Sequence, residues 1–294
     1  NPGVFGYGMS DRAARVSGIL DAAQGSFIHL GRRPVRRRID SADLDHVMIA
    51  GDVLDADFVI NLPKLKTHGL TFYSGGIKNC FGYVVGGDKM RVHRQAATPR
   101  RFAAALVDIF AIRPPDLTIM DGVDAMEGNG PSNGTVRRVG KVLASDNAVS
   151  LDAAALRLIG GTVASVHHVD MAGRRGLGET DLGKLSIIGA IEPVAGFRMP
   201  ATFVPGLSGL VLNRFLSRWI NCVPEVDADR CRACGVCVKH CPVGAMRMVN
   251  DYPFADRDIC ISCYCCQEMC PENAIVLSGR MINLIRKGTF YGAR

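Results

Sequence analysis

Apolar positions along the first two-thirds of the chain alternate between helical and strand spacing. Residues 10–23 open on Ser10-Asp11, a candidate N-cap, and place Ala14, Val16, Ile19 and Leu20 on one helical stripe. Residues 45–50 and 57–62 are short apolar, β-branched runs and are expected to be strands. Thr98-Pro99 gives the N-cap and first position of a helix whose apolar face is Phe102, Leu106, Ile109 and Phe110, ended by Pro114-Pro115. Residues 117–120 form the next predicted strand, and it runs into a dense turn over residues 121–134. Residues 142–144 form another strand, Asp146 is placed as the cap of a helix reaching Ile159, and Gly160-Gly161 stops it. Residues 185–189 complete the predicted set. Strands alternating with helices predict an α/β domain over residues 1–200, a mostly parallel sheet in three layers. Residues 201–222 form a connector whose amphipathic stretch, 207–220 with Trp219, is expected to pack between domains; a membrane-surface or partner helix is the other reading.

From Cys231 the pattern changes. Cys231, Cys234, Cys237 and Cys241 read C-x-x-C-x-x-C-x-x-x-C followed by Pro242, and Cys260, Cys263, Cys266 and Cys270 repeat it before Pro271. This is the bacterial spacing for iron–sulfur ligation, in which three thiolates hold one cluster and the fourth reaches the other. The assignment is Cys231, Cys234, Cys237 and Cys270 for one [4Fe-4S] cluster, and Cys260, Cys263, Cys266 and Cys241 for a second. Structural zinc also takes four cysteines, but as separated pairs rather than a triplet followed by C-P. The repeat offset is 29 throughout, from Cys231 to Cys260 and from Cys241 to Cys270, which predicts two similar halves. The stretch resembles the two-cluster ferredoxin domain, a small α+β unit over residues 223–280, leaving 281–294 as a tail. Cys80, Cys222 and Cys265 are spare thiols.

Charge divides along the same boundary. The net +7 of the chain is made of −2 over residues 223–280, from six Lys/Arg and eight Asp/Glu, and therefore +9 elsewhere. The basic residues are dispersed and lack interleaved aromatics, so nucleic acid is not the expected partner. The longest uncharged stretch, 199–213, is too short to span a bilayer and contains Pro200 and Pro205. No secretory signal is visible, and thiolate ligation calls for a reducing, oxygen-poor compartment, so the expectation is a cytoplasmic protein of an anaerobic setting.

The second chemical feature lies at the end of the 57–62 strand, where open α/β sheets bind ligands. Lys64, Lys66, Thr67, His68, Lys78 and Asn79 offer cations, hydroxyl and amide groups among glycines that let backbone approach a ligand. A solvated basic loop with surface histidines would carry the same residues. Residues 121–129 bring Asp121, Asp124, Glu127 and Asn129 to the end of the next strand, as a carboxylate acid or base, a hard-metal site or a plain loop. There is no G-x-x-x-x-G-K-[ST] and no strand-following G-x-G-x-x-G, so P-loop and dinucleotide chemistry have no support.

Three segments together resemble the domain-of-unknown-function family numbered 362. They are Val59-Ile-Asn-Leu-Pro-Lys-Leu-Lys-Thr-His with Lys78-Asn79 and Gly82, Asp121-Gly with Met126-Glu-Gly-Asn-Gly-Pro-Ser, and Ala144-Ser-Asp with Asp152. The resemblance covers residues 10–200 and implies fusion to a two-cluster ferredoxin domain, as here. It also implies a further strand–helix portion upstream, so that the chain begins inside the family's α/β domain. The combined expectation is an iron–sulfur oxidoreductase. Electrons from a redox partner protein pass through two [4Fe-4S] clusters to an anionic small molecule held by Lys64, Lys66, Thr67, His68, Lys78 and Asn79, with His68 or Glu127 supplying protons. The alternative is an electron-transfer subunit or adaptor with no catalytic site.

Overall fold

The computed structural model describes residues 7–200, Thr202 and residues 223–278. The segment 207–220 and the tail 281–294 lie outside the described residues. The N-terminal helical stripe forms two helices, α1 (Tyr7–Val16) and α2 (Ile19–Ala22). They part at Gly18, whose φ of 73° suits glycine and breaks the helical path. Ser10-Asp11 therefore lies inside α1 and does not cap it.

Two antiparallel strands follow, β1 (Pro34–Arg38) and β2 (His46–Ala50). After α3 (Gly51–Leu54) come β3 (Ile60–Asn61), β4 (Lys64–His68) and β5 (Phe72–Ser74), then α4 (Gly76–Asn79) and α5 (Asp88–Gln95). The helix α6 (Pro99–Ile112) is capped as the sequence predicts, with the Thr98 hydroxyl accepting from the Arg101 amide at 3.3 Å. It buries Phe102, Leu106, Ile109 and Phe110.

The central sheet contains β3, β4 and β5 together with β6 (Leu117–Asn129) and β7 (Asn133–Ser145). Its core is parallel, because β3 and β4 both run alongside β6; β5 and β7 add antiparallel edges. The domain is thus α/β, with a parallel-containing sheet. Residues 121–129 are strand, not the expected turn. Thr118, Met120, Ala125 and Glu127 of β6 are buried, with a register shift between Gly122 and Asp124, and β7 pairs with the strand out to Asn129. Tertiary pairing here overrides a glycine-rich local sequence.

Beyond β7, helix α7 (Ala148–Leu158) is capped by Asn147, not Asp146. The Asn147 side-chain oxygen accepts from the Val149 amide at 2.9 Å and the Ser150 amide at 3.1 Å. Gly160 ends the helix with a φ of 73°. Helix α8 (His167–Arg174) follows. Residues 185–189 form no strand: Ile188 is fully exposed and, among the described residues, no strand pairs with the run. The hydrophobic core joins Val47, Ile49, Leu65, Tyr73, Ile77, Met120 and Leu156 with faces of α6 and α7.

The cysteine-rich module has two antiparallel strand pairs, β8 (Val223–Val226) with β11 (Ile275–Ser278), and β9 (Met246–Val249) with β10 (Tyr252–Ala255). The offset of 29 relates β8 to β10 and β9 to β11, and it relates the helix start at Val236 to that at Cys265. Residues of positive φ repeat in the same way, Ala233 with Ser262, Gly235 with Tyr264, and Gly244 with Asn273. The sequence duplication is therefore a structural one. Tyr264 and Leu277 of the second half also enter the core of the α/β domain. Gly69 makes room for them, since a Cβ there would sit 3.1 Å from Leu277 and 3.2 Å from Tyr264.

Candidate functional site

Each half of the module wraps its first cysteine in the same way. The Ala233 amide donates to Cys231 Sγ and the Ser262 amide to Cys260 Sγ, both at 3.4 Å. The Ala245 amide donates to Cys241 Sγ at 3.1 Å and the Ala274 amide to Cys270 Sγ at 3.3 Å. Amides aimed at thiolate sulfur stabilise the anion and raise the potential of a bound cluster. Cys231, Cys234 and Cys237 of the first run and Cys270 of the second line one cavity with Gly235, Pro253 and Ile275. No group of three or more His, Cys, Asp or Glu among the described residues closes on a single-ion point. The donors instead border a shallow cavity partly open to solvent. Four thiols, inward N–H groups and glycine-like turns fit a [4Fe-4S] group. Cys260, Cys263 and Cys266 belong to the second half and Cys241 to the first, with Cys266 buried and Cys265 beside it.

The second half also carries the acid that organises the basic residues. His68, at the end of β4, is 1% exposed. Its Nδ1 accepts from the Leu70 amide at 3.1 Å, which places the ring proton on Nε2. Nε2 stands 3.0 Å from Oε1 of Glu268, so the ring lies directly against the carboxylate. Glu268 lies on the helix Cys265–Met269, between Cys266 and Cys270.

Lys66, Lys78, Lys89 and His93 all feel the charge of Glu268. Burial pushes the ammoniums of Lys66 and Lys78 down, against the opposing pull of Glu268. Lys89 falls to about 8 through burial and the nearby Lys78. Burial, then Lys78, brings His68 to about 4, and burial also holds His93 at about 4 and His168 at about 3. These rings are neutral at pH 7. Burial alone would raise the Glu268 carboxyl, but His68, Lys78 and His93 outweigh it and hold it well below the usual range. Lys66, His68, Lys78, Lys89, His93 and Glu268 form one basic centre where the two domains meet.

Lys78 is set in place by a buried anchor. Asp152 of α7 accepts from the Tyr73 hydroxyl at 2.9 Å, the Gly76 amide at 2.6 Å and the Ile77 amide at 3.0 Å, fixing the start of α4. Gly75 must lack a side chain, because a Cβ would fall on the Tyr73 hydroxyl and Asp152. Asn79 supports the same turn, donating to Asn61 Oδ1 at 2.7 Å while Asn61 donates to the Gly76 carbonyl at 3.0 Å.

The carboxylates of β6 do not join this centre. Asp121 pairs on the surface with Lys64 at 2.6 Å, and Asp124 pairs with Arg138 at 3.3 Å. Glu127 is held by Arg198 at 2.8 Å and accepts from the Arg198 amide at 3.1 Å. The end of β6 and the start of β7 approach the module, where Asn129, Asn133, Arg230 and Gln267 border a shared cleft. Among the described residues, no helix is long and apolar enough to cross a membrane.

An α/β domain thus packs against a duplicated, cysteine-lined module whose thiols are spaced as iron–sulfur ligands are. Residues 3–157 match the family described as "Domain of unknown function (DUF362)", and residues 224–247 match the 4Fe-4S binding domain. The chain belongs to the DUF362 family, and its module holds at least one [4Fe-4S] cluster. It is similar to the "Thylakoid-associated protein sll1697" of Synechocystis sp. (strain ATCC 27184 / PCC 6803 / Kazusa), 38% identical over 148 residues. That match covers 50% of this chain and 46% of the relative, so the chain spans about half the length of the curated relative it matches.

Proposed function

We propose that this protein is a reductase of an anionic small molecule, fed by a redox partner protein through two [4Fe-4S] clusters. Cys231, Cys234, Cys237 and Cys270 would hold one cluster, and Cys260, Cys263, Cys266 and Cys241 the other. When bound, the clusters supply one-electron transfer at low potential. The observation that carries the reading is the 3.0 Å contact of His68 with Glu268, which joins the basic centre to the helix bearing Cys266. Lys66 and Lys78 bind the anion and offset charge that builds up on reduction. His68 is neutral at pH 7 and is at hand to take up a proton, since arriving negative charge raises its affinity for one. Asn79 and Asp152 act as positioning residues for Lys78. Glu268 takes the acidic place that sequence reasoning gave to Glu127. Thiolate ligation suits a reducing compartment, which favours the cytoplasm.

The test is anaerobic preparation of the protein, chemical reduction and a screen of anionic acceptors. Lys66→Ala and Lys78→Ala are expected to abolish turnover while iron content and folding stay unchanged. Reoxidation by a partner protein with no acceptor consumed would instead make the chain an electron carrier.

A further inference from the structure

We propose that the first half of the cysteine module is the docking face for an electron-donor protein. Electrons then enter at the cavity of Cys231, Cys234, Cys237 and Cys270 and leave from the half that faces the α/β domain. The inference rests on the two-cluster reading above and adds to it a direction and a partner surface.

The internal repeat allows the two halves to be compared position by position. The second half is covered. Tyr264 is 5% exposed and Leu277 6%, both within the core of the α/β domain, and Gly69 leaves the room that admits them. Asn133 donates to the Ile275 carbonyl at 2.7 Å, and His68 stands against Glu268. The offset of 29 puts Gly235 where the second half has Tyr264, and Met248 where it has Leu277. Met248 is 42% exposed, and a Cβ added at Gly235 would meet nothing within 4 Å. One surface is buried against this chain's own domain, and its counterpart is bare.

The surroundings of the two ligand sets differ in the same sense. The first cavity is partly open to solvent, Cys234 is exposed, and Arg232 and Glu272 on the cavity wall pair at 3.5 Å. The repeat puts Ile261, Val243 and Cys263 at the places of Arg232, Glu272 and Cys234, and none of the three is exposed. The amide–sulfur bonds are alike in both halves, so the difference lies in access and not in ligation.

An open cavity of ligand thiols is the place where an external donor can approach. The exposed apolar part beside it is small, Met248 with Val249, and the nearby Arg232 and Glu272 carry both signs of charge. Such a face suits a short-lived encounter with an electron carrier, a class with some of the smallest interfaces, better than a permanent subunit. Each encounter oxidises the donor by one electron and reduces the first cluster by one; no bond forms or breaks.

The test uses the full chain, prepared anaerobically and iron-replete, with Cys234→Ser identifying the EPR signal of the first centre. A neutral gadolinium chelate is expected to speed the spin relaxation of that centre alone. Gly235→Tyr copies the second half and uses a backbone shape that Tyr264 already adopts, and it should remove the effect. Reduced bacterial ferredoxin and reduced flavodoxin serve as donor probes in stopped-flow measurements. Met248→Asp should slow reduction by whichever protein reacts at least about tenfold, because docking then buries an unpaired carboxylate, with little change in the rate with dithionite. Lys184→Met, on a surface pair with Glu179, should alter neither reading. If Gly235→Tyr fails to load iron, wild-type relaxation and Met248→Asp still decide. Equal relaxation of both centres, no reduction by either protein, or reduction indifferent to Met248→Asp overturns the proposal. So does a dimer that Met248→Asp dissociates, since a second copy then covers the face. A single centre per chain would sink the two-cluster reading itself. Two unequally exposed centres with no acceptor turned over would leave this proposal standing and fail the reductase.

Discussion

Asp152 offers the sharpest test of how the α/β domain builds its basic centre. The carboxyl is 0% exposed and accepts three hydrogen bonds, from the Tyr73 hydroxyl and the amides of Gly76 and Ile77. Burial raises its pKa to about 6, only partly offset by the amides of Ile77 and Gly76. A folded-state value above the unfolded 3.8 means that this group's stabilising contribution is complete below pH 3.8. That contribution is lost as pH rises through about 6. The rise corresponds to ~3 kcal/mol between pH 4 and pH 7. Asp152→Asn removes the titration and keeps the shape, so its stability relative to wild type should improve by ~3 kcal/mol over that window. The buried histidines act oppositely, their depressed values costing stability as pH falls from 6.5 toward about 4, but they are common to both proteins and cancel. Asp152→Ala leaves all three donors unpartnered and should cost ~3–6 kcal/mol at pH 7, at ~1–3 kcal/mol for each donor with some relaxation. Urea unfolding of iron-replete protein across pH 4–7 gives the difference curve. Parallel curves for wild type and Asp152→Asn would refute the burial argument.

Three further outcomes follow from named contacts. Cys241→Ser should chiefly deplete iron held by the Cys260, Cys263 and Cys266 half, read by iron and acid-labile sulfide analysis. Cys265→Ala should leave metal content unchanged, because four ligands per cluster are present without it; loss of one cluster's absorbance would show the wrong neighbour was chosen. Gly69→Val should loosen the module from the α/β domain, since its side chain would press on Leu277 and Tyr264, and limited proteolysis should then release the module.

What was legible in the sequence was chemistry fixed by local spacing. The cysteine repeat demanded its ligands at set intervals, and the same offset of 29 reappears in strands, turns and amide–sulfur bonds. Lys66, His68 and Lys78 stood out as candidates because they lie near the end of a strand, where α/β sheets gather ligands. Their acidic partner was not legible. Glu268 lies 200 residues from His68 and in another domain, whereas Glu127 was the nearer candidate in sequence. Nothing local signalled His168, an ordinary residue of α8 until burial strips it of partners. The glycines and Asn129 of β6 suggested a turn, and only the partner strand β7 shows why they are extended.

An EPR-monitored redox titration of anaerobic wild type and Lys78→Met most directly tests the claim that two clusters serve this centre. Two reducible [4Fe-4S] centres per chain are predicted. In the variant, one potential should fall by some tens of millivolts as a nearby positive charge is lost, while the other stays in place. A single centre per chain, or two whose potentials ignore Lys78, would contradict the account.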